Sequence, residues 1–234
     1  MRIMSGFLQT LAQANAIYVR QKIKAKKVAQ VFGIETRNQY QIQTEEGQEF
    51  GFCVEQKLGN VDLFRRQVLG HWRVFNVVGT DMDSTQVFRA HHPFRKSFQR
   101  LEIYGADDCL VGILQQRFAW LNKKFELFDT KGQVMMTMTT PTWKIWKFPI
   151  RKGEGEVSVI ERKWPGFSKA RYSYADSFRI RFTDTKLNTD EKLLLLTSAI
   201  FIDILYAADL RLMVLVGAAP EAIILFYVIR KFFE

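Results

Sequence analysis

The sequence has little of what metal centres, disulfide frameworks and nucleotide-binding enzymes require. Its two cysteines, Cys53 and Cys109, form neither a CxxC pair nor a cluster with the spacing of metal ligands. The three histidines stand outside any nucleophile motif, and neither a P-loop nor a GxGxxG segment occurs. We therefore expect no zinc site and no enzyme with covalent chemistry. A reducing compartment fits the cysteine content best, although the two thiols could also pair.

The sequence also lacks an uncharged run of the roughly 20 apolar residues that a transmembrane helix needs. The run from Leu193 stops at Asp203, and the later runs, 212–220 and 222–229, are shorter still. Residues 193–208 are nevertheless mostly apolar on every side, so a helix there must be surrounded. Because a charge at bilayer depth is costly, the interior of a β-barrel is the favoured surrounding.

Positive charge exceeds negative charge: the formal net charge is +10 and the isoelectric point is near 9.6. That excess favours an anionic partner, with anionic lipid and nucleic acid as the two candidates. The alternative is a basic protein with no such partner. Phe occurs 20 times and aromatic residues make up 14% of the chain. Strands favour aromatic side chains, so the composition points to a β-rich fold.

The first 33 residues are predicted to be helical. Phe7, Leu8 and Leu11 could share one helix face, and no proline interrupts the segment. The segment contains a basic run without an intervening acid: Arg20, Lys22, Lys24, Lys26 and Lys27. The run is either a solvated helix face or a surface that contacts lipid headgroups.

Beyond this segment the pattern changes from a helical to an alternating period. Residues 40–44 and 50–55 alternate apolar and polar side chains on either side of Gly47, which is a hairpin signal. Further strand–turn–strand units follow, centred on the turns 105–108, 129–132 and 152–155. Many short strands at regular spacing predict an antiparallel sandwich or a closed barrel.

A last strand, Ser177–Phe182, leads into the apolar segment. The helix is predicted to start at Asn188, with Glu191 three positions on as in a capping box. Asp203 interrupts the apolar helix that follows. We expect its carboxylate to hydrogen-bond to a strand end or to pair with a buried cation, because a buried carboxylate needs partners.

Several blocks of the sequence resemble the phospholipid scramblase family, and more closely its shorter bacterial-type members. The most specific are 163–166 (Lys-Trp-Pro-Gly), 174–182 and 201–203 (Phe-Ile-Asp), which are similar to the family's Lys-Trp-Ser-Gly turn, Asp-Ala-Asp-Asn-Phe run and Leu-Ile-Asp helix. The resemblance covers about residues 30–208. It implies a mainly β fold, a closed antiparallel barrel of about twelve strands around a central hydrophobic helix, shared with tubby proteins. The expected division is an N-terminal helical segment (1–33), the barrel (34–208, with its central helix at 189–208) and an apolar tail (209–234).

The resemblance implies a membrane-associated protein that binds anionic phospholipids and promotes their bidirectional movement between leaflets. Such movement is transport and not enzyme chemistry. Tubby proteins instead bind phosphoinositide headgroups, so the alternative is a phosphoinositide- or nucleic-acid-binding module without transport activity. The expected location is cytoplasmic and peripheral to a membrane, with an anionic phospholipid surface as the partner and nucleic acid as the less favoured one.

The family's proposed calcium segment precedes the central helix, and it is degraded in this chain. Tyr174 and Ser177 replace an Asp and an Asn of the family pattern. By resemblance, Asp176 and Asp184 would be the calcium ligands, yet calcium takes six to eight oxygen ligands. We therefore expect calcium binding to be weak or absent, and we expect no other cofactor.

Aromatic and basic residues interleave at several predicted strand ends. Tryptophan presents an apolar body and a polar tip to a membrane interface, and Lys and Arg attract anionic headgroups. The candidate headgroup-binding residues are Arg95, Lys96, Lys123, Lys124, Lys144, Lys147 and Lys163. The alternative is that each such pair is an inward aromatic beside an outward, solubilising cation of a barrel strand.

Overall fold

The computed structural model describes residues 5–22, 36–56, 74–95, 97–141, 144, 146–163 and 174–216. Within these residues the chain forms two helices, α1 (Gly6–Gln13) and α2 (Thr189–Val216). The strands are β1 (Ala16–Lys22), β2 (Thr36–Thr44), β3 (Glu49–Gln56), β4 (Phe75–Thr80), β5 (Gln86–His92), β6 (Arg100–Gly105), β7 (Leu110–Arg117), β8 (Asn122–Phe128), β9 (Val134–Pro141), β10 (Lys147–Lys152), β11 (Gly155–Lys163) and β12 (Tyr174–Phe182).

The twelve strands form one closed antiparallel barrel in which consecutive strands are neighbours. β1 completes the circle by pairing with β12 on one side and β2 on the other, so that Ile17 lies opposite both Ile180 and Thr44. In β6, the buried Leu101 and Ile103 alternate with partly exposed residues, as expected when one face of a strand points into a core. The prediction of a mainly β, closed barrel of about twelve strands is confirmed, and closure pairs every described strand on both sides.

The prediction that residues 1–33 are helical is wrong for part of the segment. α1 ends at Gln13 and β1 begins at Ala16. In β1 the buried Ile17 and Val19 alternate with partly exposed neighbours, and this period of two belongs to a strand. The barrel therefore begins near residue 16 and not at 34. Of the predicted basic run, Arg20 and Lys22 belong to β1, whereas Lys24, Lys26 and Lys27 lie outside the described residues.

Up to Leu205, α2 lies inside the barrel because it is apolar around its circumference, and a protein interior can cover such a helix. Its start is a capping box: the Asn188 side chain accepts a hydrogen bond from the Glu191 backbone N–H (2.8 Å), and the Glu191 carboxylate accepts one from the Asn188 N–H (3.0 Å). Residues 193–196 and 199–202 are almost fully buried. The C-terminal helix is thus the centre of the hydrophobic core.

α2 is longer than the strands that surround it. Its 28 residues span about 42 Å, whereas the nine residues of β12 span about 30 Å. The helix continues to Val216, past the predicted end of the central helix at Ala208, and residues 217–234 of the predicted tail lie outside the described residues. Within the described residues, neither helix combines the length and the apolar character that crossing a bilayer requires.

The barrel has two different ends, which we call the turn end and the rim end. The turn end carries the short connections 45–48, 81–85, 106–109, 129–133 and 153–154, and the link 183–188 to α2. α1 packs at this end with Phe7 and Leu11 buried, and the Lys192 ammonium of α2 donates to the carbonyl oxygens of Ala12 (2.6 Å) and Ala14 (2.8 Å). At the rim end, the described residues belong to the connections 93–99, 118–121 and 142–146, without residues 96, 142, 143 and 145.

Candidate functional site

Large apolar side chains are exposed together at the rim end, where cations accompany them. The exposed fractions are 51% for Phe94, 44% for Phe98, 65% for Phe118, 63% for Trp120, 48% for Leu121 and 40% for Trp146. Beside them are three exposed cations that form no ion pair within the described residues: Arg95, Lys144 and Lys147. We call this set of residues the rim surface. A cluster of exposed apolar side chains bordered by polar groups marks an interaction site.

The β5–β6 connection is held against β7 by hydrogen bonds. The Gln115 side-chain amide donates to the carbonyl oxygens of Phe98 (2.8 Å) and Gln99 (3.3 Å), and the Gln116 N–H donates to that of Gln99 (2.7 Å). Phe98 has a φ of 55°, a left-handed conformation that a bulky residue rarely adopts. Its ring meets the ring of Phe118 edge-on at 6.5 Å. The connection is therefore fixed in a shape that keeps both rings at the surface.

A cleft of about 580 Å³ lies between the β5–β6 connection and the rim-end parts of β7 and β8. We call it the rim cleft. Phe98 and Phe118 border it, and its mainly polar lining includes Arg95, Ser97, Gln115, Arg117, Lys124 and Glu126. The cleft is open to solvent, and its lining is more polar than that of a typical small-molecule pocket.

Two cations of the rim cleft share one carboxylate. Arg117 Nε lies 2.7 Å and Lys124 Nζ lies 3.2 Å from the oxygens of Glu126. Burial would raise the pKa of the Glu126 carboxyl, but the hydrogen bonds and charges of Arg117 and Lys124 together lower that pKa below its ordinary 4.5. Arg95 forms no ion pair within the part of the chain that the structure describes. The cleft consequently keeps an excess of positive charge.

A second polar group lies inside the barrel, on α2. The Asp203 carboxylate accepts a hydrogen bond from the Tyr40 hydroxyl (2.8 Å) and lies 3.5 Å from Nη2 of Arg162. The side chains of Asp203 and Arg162 are 1% and 4% exposed, and the Arg162 guanidinium lies over the ring of Phe178 at 5.5 Å. These contacts attach α2 to β2 and β11. Because the group is shielded from solvent, it acts on the position of the helix and not as a ligand surface.

The structure distributes the predicted headgroup-binding residues unequally. Lys123 is 5% exposed, because it shares the inward face of β8 with Phe125 and Leu127, and we leave it out of the rim surface. Lys96 and the side chain of Lys163 lie outside the described residues. The others are at the rim end: Arg95 and Lys124 line the rim cleft, and Lys144 and Lys147 are exposed beside Trp146.

β12 does not bring the two predicted calcium ligands together. Asp176 is near the rim end of this strand, and Asp184 follows its turn end. Eight residues of extended chain separate them by about 26 Å, whereas calcium ligands lie about 2.3–2.6 Å from the ion. The Asp184 carboxylate instead accepts a hydrogen bond from the Lys186 N–H (2.9 Å). The two aspartates do not fit a shared calcium site.

The described residues hold no other cluster with the composition of a metal centre: no three His, Cys, Asp or Glu side chains come together there. Cys53 and Cys109 are both free thiols, the first buried and the second exposed. Burial raises the pKa of the Cys53 thiol and so keeps it protonated. The alternative of a pair between the two cysteines does not occur in the structure.

The sequence prediction of the site omitted Arg117, Phe118 and Arg162. A signal for Arg162 exists, because a count by twos from Ile160 places it on the inward face of β11. Arg117 and Phe118 continue the interleaving of basic and aromatic residues that includes Trp120. The rim cleft itself joins residues 95–98 to residues 115–126, and no local sequence pattern predicts that contact.

Comparisons with known proteins agree with one another. A family model described as Scramblase matches residues 2–209. The chain is 27% identical over 213 residues to phospholipid scramblase 1 of Mus musculus, which covers 85% of this chain and 63% of that protein. It is 24% identical over 213 residues to phospholipid scramblase 2 of Homo sapiens, and the match covers 85% of this chain and 69% of that protein. A phospholipid scramblase family protein of Schizosaccharomyces pombe is 24% identical over 162 residues, covering 65% of this chain and 42% of that protein.

The chain thus spans somewhat less than two thirds of the length of the mouse relative. Among solved structures, the X-ray structure of a protein from Arabidopsis thaliana is similar with a TM-score of 0.44 and 11% sequence identity. That similarity covers 82% of this chain and 93% of the plant protein.

Proposed function

Because the chain belongs to the scramblase family, we propose that it is a peripheral membrane protein of the cytoplasmic face that binds anionic phospholipid and promotes phospholipid movement between leaflets. The observation that carries the membrane-binding part is the rim surface, where exposed aromatic and basic side chains occur together at one end of the barrel. The transport part rests on the family relationship.

The two kinds of side chain on the rim surface suit the two layers of a membrane interface. Aromatic rings such as those of Phe118 and Trp120 gain free energy by entering the region between headgroups and acyl chains. Each Lys or Arg close to an anionic leaflet contributes about 1 kcal/mol, and the contribution falls with salt. Three exposed cations and several rings acting together are enough for reversible, salt-dependent docking.

Charge also supports a single orientation of the barrel. The six turn-end connections contain nine acidic residues and two lysines, whereas the described residues of the rim-end connections 93–99, 118–121 and 142–146 include no acidic residue. An anionic surface repels the turn end and attracts the rim end. We therefore expect the barrel to stand on the membrane with its rim surface down.

The barrel interior is occupied by α2, so a headgroup does not cross a bilayer through it. The buried leucines 194–196 of the helix fill the space between opposing strands. Movement of lipid between leaflets would therefore come from disturbance of the bilayer beneath the rim surface. The proposal assigns no covalent step to any residue.

Co-sedimentation with vesicles tests the docking. We expect binding to vesicles that contain anionic phospholipid, weaker binding to zwitterionic vesicles, and at least a tenfold loss in a Phe118→Ala/Trp120→Ala double variant. The matched control is Met82→Ala, because Met82 is 51% exposed at the turn end. Equal losses in the double variant and in the control would contradict the proposal, as would binding to duplex DNA, at the same salt, in preference to vesicles.

A dithionite assay on reconstituted vesicles tests transport itself. Fluorescent phospholipid in the inner leaflet is protected from dithionite until it moves outward. We expect the wild-type chain to accelerate the loss of the protected signal. A rate equal to that of vesicles without protein would remove the transport part and leave the docking part standing.

A further inference from the structure

We propose that the rim cleft binds the phosphate of a phosphomonoester headgroup, carried by a lipid in the membrane on which the rim surface docks. This inference rests on the proposed function, and it adds to it a ligand class and a defined site. The cleft is bounded by the β5–β6 connection, β7 and β8, and Arg95, Arg117 and Lys124 reach it from these three elements.

The charge of the cleft matches a phosphate dianion. Among the described residues, three cations line it against the carboxylate of Glu126, and their formal charges sum to two units positive. A phosphomonoester carries about −1.5 to −2 at neutral pH, because its second pKa is about 6, whereas a phosphodiester carries −1. The diester of an ordinary phospholipid leaves part of this charge unmatched.

Arg117 is positioned before any ligand arrives. Its Nε is bound to Glu126 at 2.7 Å and its guanidinium lies over the ring of Phe128 at 5.3 Å. The side chain is nevertheless 47% exposed, which leaves its outer N–H groups accessible. A guanidinium held in one orientation offers two parallel donors to phosphate oxygens. Lys124 is 39% exposed beside it and can add a third donor.

The border of the cleft favours an amphiphile over a soluble ester. Phe98 and Phe118 stand at its edge, 44% and 65% exposed, and their rings pack edge-on against each other. The left-handed backbone of Phe98, which a bulky residue rarely adopts, is held by the hydrogen bond from Gln115 to its carbonyl oxygen and keeps the ring at this edge. A lipid whose phosphate sits in the cleft extends its glycerol and acyl carbons across this pair of rings.

Binding to two kinds of anionic vesicle tests the proposal. One contains phosphatidic acid, whose headgroup is a phosphomonoester, and the other contains phosphatidylserine at a fraction that gives the same electrophoretic surface charge. We expect the wild-type chain to bind the first at least fivefold more tightly. In Arg117→Gln and Arg95→Gln the ratio of the two affinities should fall close to one. Arg117→Lys keeps the charge, and it should still lose most of the preference.

The matched control is Lys147→Gln, which removes a cation of the rim surface outside the cleft and should weaken both affinities by the same factor. Circular dichroism and thermal unfolding identify any variant that has lost its fold. A wild-type ratio of one, or a ratio unchanged in all three cleft variants, would overturn the phosphomonoester site while leaving general docking intact.

A titration with a soluble phosphate ester distinguishes a lipid headgroup from a free ester as the source of the phosphate. Glycerol 3-phosphate is titrated into the full chain without vesicles, followed by the NMR signals of the arginine side chains. Weak binding that competes with phosphatidic acid vesicles supports a site for a lipid headgroup. Tight binding of glycerol 3-phosphate together with no vesicle binding would contradict both the lipid assignment and the proposed function.

Discussion

The two ends of the barrel are built from the same twelve strands and yet differ in almost every property. At the turn end, connections of two to six residues reverse the chain. Aspartates stabilise several of them by accepting hydrogen bonds from backbone N–H groups. The Asp129 carboxylate, for example, accepts from the N–H groups of Lys131 (2.9 Å) and Gln133 (2.8 Å). The rim end instead displays Phe118 and Trp120, whose exposure gives the fold no stability. One end serves the closure of the sheet, and we propose that the other end serves an interaction.

Inside the barrel the two ends do not differ in this way, because polar contacts hold α2 in the turn-end half and in the rim-end half of the barrel. Lys192 is bound to α1 carbonyls at the turn end, and Asp203 is bound to Tyr40 and paired with Arg162 farther along the helix. We expect Asp203→Leu to give the largest effect of the changes considered, a loss of about 3–5 kcal/mol in the free energy of unfolding, because it removes the buried ion pair with Arg162 and the hydrogen bond from Tyr40. Urea denaturation measures it.

A double change identifies the cause of that loss. Asp203→Leu combined with Arg162→Met removes both charges, and most of the lost stability should return. If the double variant is as unstable as Asp203→Leu alone, the cost comes from the lost Tyr40 hydrogen bond or from packing around the new leucine, and not from the lost ion pair with Arg162.

The difference in charge between the ends can be isolated from net charge. Lys144→Ala/Lys147→Ala removes two exposed cations from the rim end, and Lys131→Ala/Lys186→Ala removes two exposed lysines from the turn end. Both double variants have the same net charge. At about 1 kcal/mol per cation near an anionic leaflet, the rim-end pair should weaken vesicle binding roughly 30-fold. The turn-end pair should change it less than twofold; equal losses would mean that net charge alone controls docking.

The smallest expected effect concerns Glu126 in the rim cleft. Its pKa is lowered in the folded protein, so its ion pairs contribute stability above the ordinary pKa of 4.5, and that contribution is lost as the pH falls through the lowered value. For a pair near the surface we expect less than about 1 kcal/mol. The difference in urea midpoint between wild type and Glu126→Gln should therefore shrink from pH 6 to pH 3. A difference in urea midpoint that does not change with pH would mean that the substitution acts through packing and not through the ion pairs of Glu126.

Much of the barrel was predictable because its signals are local. Alternation in β8 and β9 and the turn at 129–132 describe a hairpin before any long-range contact is considered. β1 was not predictable in this way. Its residues follow α1 without a proline or a glycine, and Ile17 falls at a spacing that also suits the helix. Pairing with β12, at the far end of the chain, decides in favour of a strand.

The candidate site also depends on contacts between distant segments, which local sequence patterns do not predict. Lys123 and Lys124 look equivalent in the sequence, but one shares the inward face of β8 with Phe125 and the other lies in the rim cleft beside Arg117. The sequence prediction named the rim-surface cations Arg95, Lys144 and Lys147 individually, from residue type and from the aromatic residues near them in the chain. The cleft depends on the β5–β6 connection lying against β7, and this arrangement exists only once the barrel is closed.

The pairing of β1 with β12 also has a consequence in time. More than 160 residues separate Ile17 from Ile180, its partner across the seam. At a synthesis rate of about 5–20 residues per second, β1 waits roughly 8–30 s for its second neighbour to leave the ribosome. α2, the helix that fills the core, is made later still. We therefore expect closure of the barrel to be slow and to follow synthesis of the C-terminal third. Until then the early strands lack a partner, so they either aggregate or are bound by a chaperone.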